Sequence, residues 1–323
     1  MTWLIWRQHR IQAAVGAAVL AAFAVLLVIT GLQMAAVFHT SLLQCEAKGT
    51  CRFPAGNVSL GSAPVDFLVE FTLAVPALLG MFLGAPLVAR EAETGTSQFA
   101  WTQSVTRRRW LAVNTGWLLV AAVAWGGAVS ALVTWWSGPR NAAYLNAFNP
   151  GTFDVQGIAP VAYSVFAMAL GIAAGAVIRR SVPALGITLG GYFAVRLAIM
   201  GWFRRYYMPP VTTSYGLNDN YLPKGAFWLY SQGISTPGGP VAPVNGGPGI
   251  GFAGLPVSDV PAACRIGSAQ LYSCLNAHGF RAFITYQPAS RYWAFQSIES
   301  AIFLVLAAAA VAVAFAVVRR RDA

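Results

Sequence analysis

Charged residues are scarce in this chain of 323 residues, where 10% of the positions are charged and 57% are hydrophobic. Soluble globular proteins carry about 25% charged residues. The shortage excludes an ordinary soluble domain and indicates a protein whose main solvent is lipid. The formal net charge is +11. Because the basic residues stand in small groups beside apolar segments, we expect a lipid membrane as the partner and no nucleic acid.

Several motifs of nucleotide binding and catalysis are also missing. No GxxxxGK[ST] pattern occurs, so the chain cannot cradle ATP phosphates in a Walker A loop. The HExxH and GxSxG motifs are absent, and we expect no enzyme activity. CxxC spacing is absent while His39 and His278 stand alone in the sequence, so no metal site is expected.

Long apolar runs are what the chain has in abundance. Six segments reach the roughly 20 apolar residues that a membrane-spanning helix needs; they are residues 11–37, 65–89, 111–136, 157–177, 182–203 and 294–318. The first run is too long for the h-region of a signal peptide, so we expect a retained helix. The sequence therefore predicts an all-α integral membrane protein, one transmembrane domain over residues 1–323 with six transmembrane helices.

Basic residues in the short connections indicate the orientation of these helices. With the N-terminus inside, eleven arginines fall within about 40 inner residues, whereas nine basic residues are spread over about 140 outer ones. We therefore expect both termini to be cytoplasmic. Abundant alanine and arginine, with only two lysines, indicate a GC-rich bacterial genome and hence the bacterial cell membrane.

A large extracytoplasmic insert, residues 204–293, is predicted between the fifth and sixth spans. Its middle, residues 236–256, is too rich in glycine and proline for a regular helix or strand. The four cysteines all fall in segments assigned to the oxidising outer side; they are Cys45, Cys51, Cys264 and Cys274. Cys45–Cys51 and Cys264–Cys274 are the favoured disulfides because each closes a short loop, although four cysteines allow three connectivities.

Ionisable residues within the predicted spans form one candidate site. Asp66 and Glu70 lie on the second span, Arg196 on the fifth and Glu299 on the sixth. At about 1.5 Å of rise per residue, Glu70, Arg196 and Glu299 lie at one level, roughly 8–10 Å below the outer boundary. Inserting such a group into a membrane span costs roughly 2.5–3.5 kcal/mol, so each group needs an ion-pair or hydrogen-bond partner, or water. We expect Arg196 to pair with Glu70 or Glu299, either as an outer gate or as a purely structural ion pair.

Helix packing can be partly anticipated from glycine and proline. Three pairs with GxxxG spacing, which lets helices approach closely, lie in the predicted spans; they are Gly80 and Gly84, Gly171 and Gly175, and Gly186 and Gly190. The spacing does not tell which pairs meet. Pro76 in the second span removes a backbone hydrogen bond and is expected to kink that helix.

A polar elbow, residues 90–109, separates the second and third spans and is the longest loop expected on the cytoplasmic side. The run APLVAREAETGTSQFAWTQSVTRRRWLAVN resembles the stretch between the second and third helices of type-2 permeases of ABC transporters. Matching positions are the acids Glu91 and Glu93, Gly95 and Thr96, the apolar Phe99 and Trp101, and the basic Arg107, Arg108 and Arg109. The basic residue common between the two acids is replaced by Ala92, and the proline often found before the basic group is absent.

The runs WLIWRQHR and YQPASRYWAFQSIE resemble an actinobacterial branch of such permeases. The resemblance implies export, with a separate cytoplasmic ABC ATPase docking on the elbow and a second permease copy, either identical or a paralogue. The partner ATPase would bind ATP and Mg²⁺, and this chain would hold no cofactor. A largely apolar lining would suit an amphipathic substrate. Two other classes stay open, namely a membrane sensor or self-immunity protein, and an intramembrane enzyme using Asp66, Glu70 and Glu299.

Overall fold

The computed structural model describes residues 2–48, 62–94, 107–138, 141, 148, 150–219, 221, 223, 228–239, 261–264 and 271–320. Its α-helices, in chain order, are α1 (Thr2–Lys48), α2 (Ser62–Leu79), α3 (Ala85–Thr94), α4 (Arg107–Trp136), α5 (Pro150–Phe153), α6 (Ala159–Ile178), α7 (Ser181–Ala198), α8 (Leu271–Ala277) and α9 (Tyr292–Arg320). The described residues fall into two compact units, which lie within Met1–Ala143, Gly151–Arg205 and Ala294–Ala323, and within Tyr144–Pro150 and Tyr206–Trp293.

Among the described residues, six helical segments are long and apolar enough to cross a membrane. They are Ala18–Thr40, Glu70–Glu93, Arg108–Trp136, Ala159–Ile178, Ser181–Tyr206 and Ala289–Arg320. Each overlaps one predicted span, so the prediction of six transmembrane helices is confirmed. The spans lie in α1, in α2 with α3, in α4, in α6, in α7 with the turns that follow it, and in α9.

Helix α6 is the central helix of the first unit. It packs against α2, α3, α4 and α7. Its span is 78% buried, against 17% for the span that contains α9. Many of its buried residues are alanine and glycine, which allow neighbouring helices to approach closely. A helix covered on most sides needs no polar face, and this explains why its sequence is apolar all round.

Two of the three GxxxG pairs meet where the second span packs against α6. A Cβ added to Gly80 would lie 2.2 Å from the carbonyl oxygen of Ala167, and one added to Gly171 would lie 2.2 Å from that of Gly80. A Cβ added to Gly84 or to Gly175 would also lie within 3 Å of a backbone oxygen of the facing helix. Only glycine permits this approach, because every other residue would force the two backbones apart.

The second span passes through Pro76 as a continuous helix, and a π-helical turn, Gly80–Gly84, joins α2 to α3. Proline cannot donate the backbone hydrogen bond of a regular helical turn, and wider turns are one way in which a helix accommodates such a break. The π-helical turn contains both glycines that contact α6. The irregular part of the second span is therefore also a part that packs closely against α6.

The second unit contains a three-stranded antiparallel sheet of order β1–β3–β2. Its strands are β1 (Val211–Gly216), β2 (Trp228–Ser235) and β3 (Arg281–Gln287). The register pairs Val211 with Tyr286 and Ile234 with Ala282. Strand β3 is buried at every position after Arg281, as its central place in the sheet requires. The membrane-spanning part is helical as predicted, whereas this sheet in the insert was not predicted.

The predicted disulfide between Cys264 and Cys274 is confirmed, with the two Cα atoms 5.5 Å apart. It joins a 3₁₀ turn, Ala262–Cys264, to α8, and Cys264 packs with Leu275 and Phe280 in a small apolar core. The predicted pair Cys45–Cys51 lies outside the described residues. Most of the segment rich in glycine and proline, residues 240–256, also lies outside them.

The glycine contacts lead to a first prediction. Gly80→Ala and Gly171→Ala should each lower the free energy of unfolding by about 1–3 kcal/mol, because the added Cβ meets a backbone oxygen that cannot yield without separating the helices. Gly127→Ala on α4 is the matched control, since nothing lies within 4 Å of its added Cβ. Unfolding of the purified variants in detergent measures the effect, and equal stability of all three would contradict the close packing.

Candidate functional site

The elbow residues are only partly within the described structure. Glu91 is half-buried and Glu93 is exposed in the last turn of α3, while Arg108 and Arg109 are exposed in the first turn of α4. Four other predicted members lie outside the described residues, namely Gly95, Thr96, Phe99 and Trp101. Arg107 is the first residue of α4, but its side chain is not among those described. The described acids and arginines therefore lie at the helix ends on either side of the elbow.

One elbow acid makes a specific contact with another span. A carboxylate oxygen of Glu93 accepts a hydrogen bond from the backbone N–H of Ser181 at 2.8 Å, and its other oxygen accepts one from the Ser181 hydroxyl at 2.5 Å. Ser181 is the first residue of α7, whose free N–H groups and dipole favour a negative charge there. The end of the second span is thus bonded to the start of the fifth.

The link between α6 and α7 is short and basic. It consists of Arg179 and Arg180, and Arg179 takes a left-handed backbone conformation with φ of 59° that ends α6. The N–H of Arg179 donates to the carbonyl oxygen of Gly175 at 3.0 Å. Sequence reasoning did not foresee the Glu93–Ser181 contact, although a serine directly after this basic pair, with proline two positions later, is a recognisable helix start.

A second group of functional candidates is a buried ion cluster of Asp154, Arg196, Arg204 and Glu299. The exposed fractions of these residues are 4%, 6%, 1% and 1%. Arg204 donates from Nε to one oxygen of Glu299 at 2.8 Å and from Nη2 to the other at 2.6 Å. Arg204 also pairs with Asp154, which in turn lies 3.0 Å from Nη2 of Arg196. The order of contacts is Glu299, Arg204, Asp154, Arg196.

This arrangement corrects the predicted pairing. Arg196 and Glu299 do belong to one cluster, but the ion pair of Arg196 is with Asp154 and that of Glu299 is with Arg204. Glu70 is exposed on α2, and the side chain of Asp66 lies outside the described residues. Depth along a helix placed Glu70 level with Arg196, but depth alone does not determine which face of the helix a residue occupies.

Aromatic and polar side chains complete the surroundings of the cluster. The Tyr163 hydroxyl donates to Glu299 at 2.6 Å, and the Arg196 guanidinium lies 3.7 Å above the centroid of the Tyr163 ring. The Arg204 guanidinium lies 4.7 Å from the centroid of the Phe153 ring. Hydrogen bonds to charged groups and contacts between cations and rings offset part of the cost of desolvating these charges.

Gln296 holds the segment that carries Asp154. Its side-chain oxygen accepts hydrogen bonds from the N–H groups of Ile158 at 3.1 Å and Ala159 at 2.8 Å, at the start of α6. Its side-chain nitrogen donates to the carbonyl oxygens of Phe153 and Gln156, both at 3.1 Å. Gln296 therefore satisfies four backbone groups of one irregular segment, and it lies one helical turn before Glu299 on α9.

The electrostatics of the cluster depend on its balance of charge. Burial raises the pKa of the Asp154 carboxyl, and the guanidinium groups of Arg196 and Arg204 oppose that rise. With both acids ionised, two negative groups face two positive ones, so the cluster is neutral as a whole. Loss of either guanidinium would leave the buried cluster with a net negative charge, which is costly in a medium of low dielectric constant.

These features define the class of the protein. The six helices that are long and apolar enough to span a membrane are those of a multi-pass membrane protein. The family described as ABC-2 membrane transporter related matches residues 17–204, more than half of the chain. The chain belongs to this family and is a membrane subunit of a transporter. Comparisons with curated proteins and with solved structures each found no match.

The ion pairs lead to a second prediction. Arg204→Met should lower the free energy of unfolding by about 3–5 kcal/mol, because it leaves Glu299 buried without its guanidinium partner. In double-mutant cycles, Arg204 with Glu299 should show a larger coupling energy than Arg196 with Glu299. The neighbouring Arg205→Met is the matched control, since Arg205 is exposed, and should cost less than about 1 kcal/mol. An Arg196–Glu299 coupling as large as that of Arg204–Glu299 would show that the assigned pairing is wrong.

Proposed function

We propose that this chain is the permease of an ATP-driven exporter and that a separate ABC ATPase binds it at the elbow, residues 90–109. Family membership supports the transport role. The observation that carries the proposal is the Glu93–Ser181 contact, since it ties the elbow to a second span. The ATPase would bind ATP and Mg²⁺, because this sequence has no Walker A motif.

The proposed orientation places both termini and the elbow in the cytoplasm. The first turn of α4 and the α6–α7 link are both rich in arginine, as inner connections are under the positive-inside rule. Glu93 bonds across from the end of α3 to the start of α7, so these segments lie at the same end of the spans. The insert is then extracytoplasmic, where a disulfide such as Cys264–Cys274 persists.

Movement at the elbow would reach the ion cluster through α7. Glu93 is bonded to the first residue of this helix, and Arg196 lies 15 residues further on, roughly 22 Å along the axis. The elbow also continues through α3 into the π-helical turn that packs on α6. ATPase closure would thus act on the second and fifth spans at once. The ion cluster would restrain the end of α7 that lies away from the elbow.

A second permease copy would contact the outward face of α7. Gly186 and Gly190 are exposed, and nothing among the described residues lies within 4 Å of a Cβ added to either. The other two GxxxG pairs are occupied by the contact between the second span and α6. The pair on α7 is therefore the one left for a close approach by another chain, whether identical or a paralogue.

Only the chemical class of the transported substrate can be proposed. An exporter of the actinobacterial type that the sequence resembles, with spans that carry few charges, would suit an amphipathic substrate. A membrane sensor or self-immunity protein would share the fold, but it would not need an ATPase. Dependence of ATP hydrolysis on this chain therefore separates the proposed function from that alternative.

The third prediction concerns the ATPase. The tagged chain, solubilised from its host in mild detergent, should co-purify with a protein that carries a Walker A motif and hydrolyses ATP. The triple variant R107A/R108A/R109A should reduce the bound ATPase by about tenfold, the equivalent of about 1.4 kcal/mol of binding free energy. Glu93→Ala should leave the ATPase bound but lower its stimulated hydrolysis, because the contact with α7 is lost.

The control for this experiment is R319A/R320A/R321A, which removes three arginines, as many as the elbow variant does, from positions outside the elbow. This variant should retain the ATPase. Retention of the ATPase by the elbow triple variant, or its equal loss from the control, would rule out docking at residues 90–109.

The fourth prediction concerns the second copy. A photo-crosslinking amino acid in place of Gly190 should give a covalent dimer band on illumination of intact membranes. The same amino acid in place of Gly127 on α4 is the control, since that position is also open within the described chain. Crosslinking of equal strength from both positions, or from Gly127 alone, would place the interface elsewhere.

A further inference from the structure

We propose that Cys264, Cys274 and His278 form a redox-gated site for a thiophilic metal ion such as Zn²⁺, closed while the disulfide is intact and able to bind metal once it is reduced. The three residues lie in the second compact unit. His278 stands alone in the sequence, but the fold brings it beside both sulfurs. This inference does not depend on the transport role, since it rests on the insert alone.

The distances suit a tetrahedral zinc site. Nδ1 of His278 lies 3.7 Å from Sγ of Cys264 and 3.8 Å from Sγ of Cys274. With Zn–S of about 2.3 Å and Zn–N of about 2.0–2.1 Å, a tetrahedral ion holds a sulfur and a nitrogen ligand about 3.6 Å apart. The imidazole is therefore already close to its required position. The two sulfurs, once no longer bonded, need to separate to about 3.8 Å.

The surrounding fold holds the three ligands in place. Cys274 lies on α8 and His278 follows four residues later, one helical turn away, so both side chains point to the same side. Cys264 approaches from the 3₁₀ turn, and its N–H donates to the carbonyl oxygen of Pro261 at 2.8 Å. Because Cys264 also packs with Leu275 and Phe280, the site does not rely on the disulfide alone for its shape.

The imidazole can release its present partner at small cost. Nδ1 of His278 donates a hydrogen bond to the carbonyl oxygen of Cys274 at 2.9 Å. That oxygen also accepts the backbone N–H of His278 at 3.1 Å, so it keeps a donor when the ring turns to a metal. Nδ1 would then bind through its lone pair while Nε2 carries the proton. His278 is exposed and Cys274 half-buried, which leaves a fourth position open to water.

Opening the site requires a dithiol reductant. A thiolate of the reductant attacks Sγ of Cys274, the S–S bond breaks, and Cys264 leaves as a thiolate. The second thiol of the reductant then attacks the mixed disulfide and releases Cys274, so the reductant becomes a disulfide and the protein gains two electrons. Zn²⁺ binds the two thiolates and the neutral imidazole, and the two thiol protons pass to solvent.

The test uses the full chain in lipid nanodiscs, with the C45S/C51S substitutions so that a single cysteine pair remains. After reduction with a dithiol and its removal under argon, ZnCl₂ is titrated against a chromophoric chelator, and thiol counting verifies the reduction. We expect one Zn²⁺ per reduced chain and none per oxidised chain. Co²⁺ should give the visible absorption of a tetrahedral site with thiolate ligands.

His278→Ala is the decisive variant because the side chain is exposed and its loss should leave the fold intact. It should weaken zinc binding by at least about tenfold, which corresponds to about 1.4 kcal/mol. His39→Ala, an exposed histidine on α1, is the matched control and should bind as the parent does. Failure of the reduced chain to bind zinc, or equal affinity of the His278 and His39 variants, would overturn the proposal.

Discussion

A charge buried in the apolar interior of a protein needs an opposite charge, and the arrangement of the first unit follows from this constraint. Asp154, Arg196, Arg204 and Glu299 are each less than a tenth exposed and form one continuous chain of ion pairs. The residues come from three separate parts of the sequence, so their pairing fixes the segment before α6, the end of α7 and the start of α9 relative to one another. Gln296 extends this constraint to the backbone of the segment that carries Asp154.

Helix α7 is the element on which the two candidate sites converge. Its first residue, Ser181, donates two hydrogen bonds to Glu93, and Arg196 lies near its last residue. Between these ends its outward face carries exposed glycines, while Tyr192 and Arg196 are buried on the other face. Directional contacts therefore restrain α7 at both ends, through hydrogen bonds to Glu93 at its start and an ion pair with Asp154 near its end.

Features that depend on composition or on short loops could be predicted from the sequence. The six spans could be predicted from the length of the apolar runs, and the Cys264–Cys274 disulfide from the short stretch of sequence between the two cysteines. The partners of Arg196 and Glu299 could not be predicted, because Asp154 lies in a segment between spans and Arg204 is next to the exposed Arg205. Nothing local distinguishes a buried arginine from its exposed neighbour. The sheet was not predicted for a similar reason. Strand β1, VTTSYG, forms its hydrogen bonds with β3, some 70 residues further along the chain, so nothing in its local sequence identifies the partner.

The neutrality of the ion cluster determines where it can separate. Breaking the contact between Arg204 and Glu299 would leave the buried Glu299 carboxylate without an ion-pair partner, and breaking that between Arg196 and Asp154 would leave the buried Arg196 guanidinium without one. Breaking the contact between Arg204 and Asp154 leaves two neutral pairs, Arg204 with Glu299 and Arg196 with Asp154. The two arginines lie on either side of a π-helical turn, Ile199–Phe203. A change in the winding of that turn would move one neutral pair relative to the other without leaving a net charge on either pair.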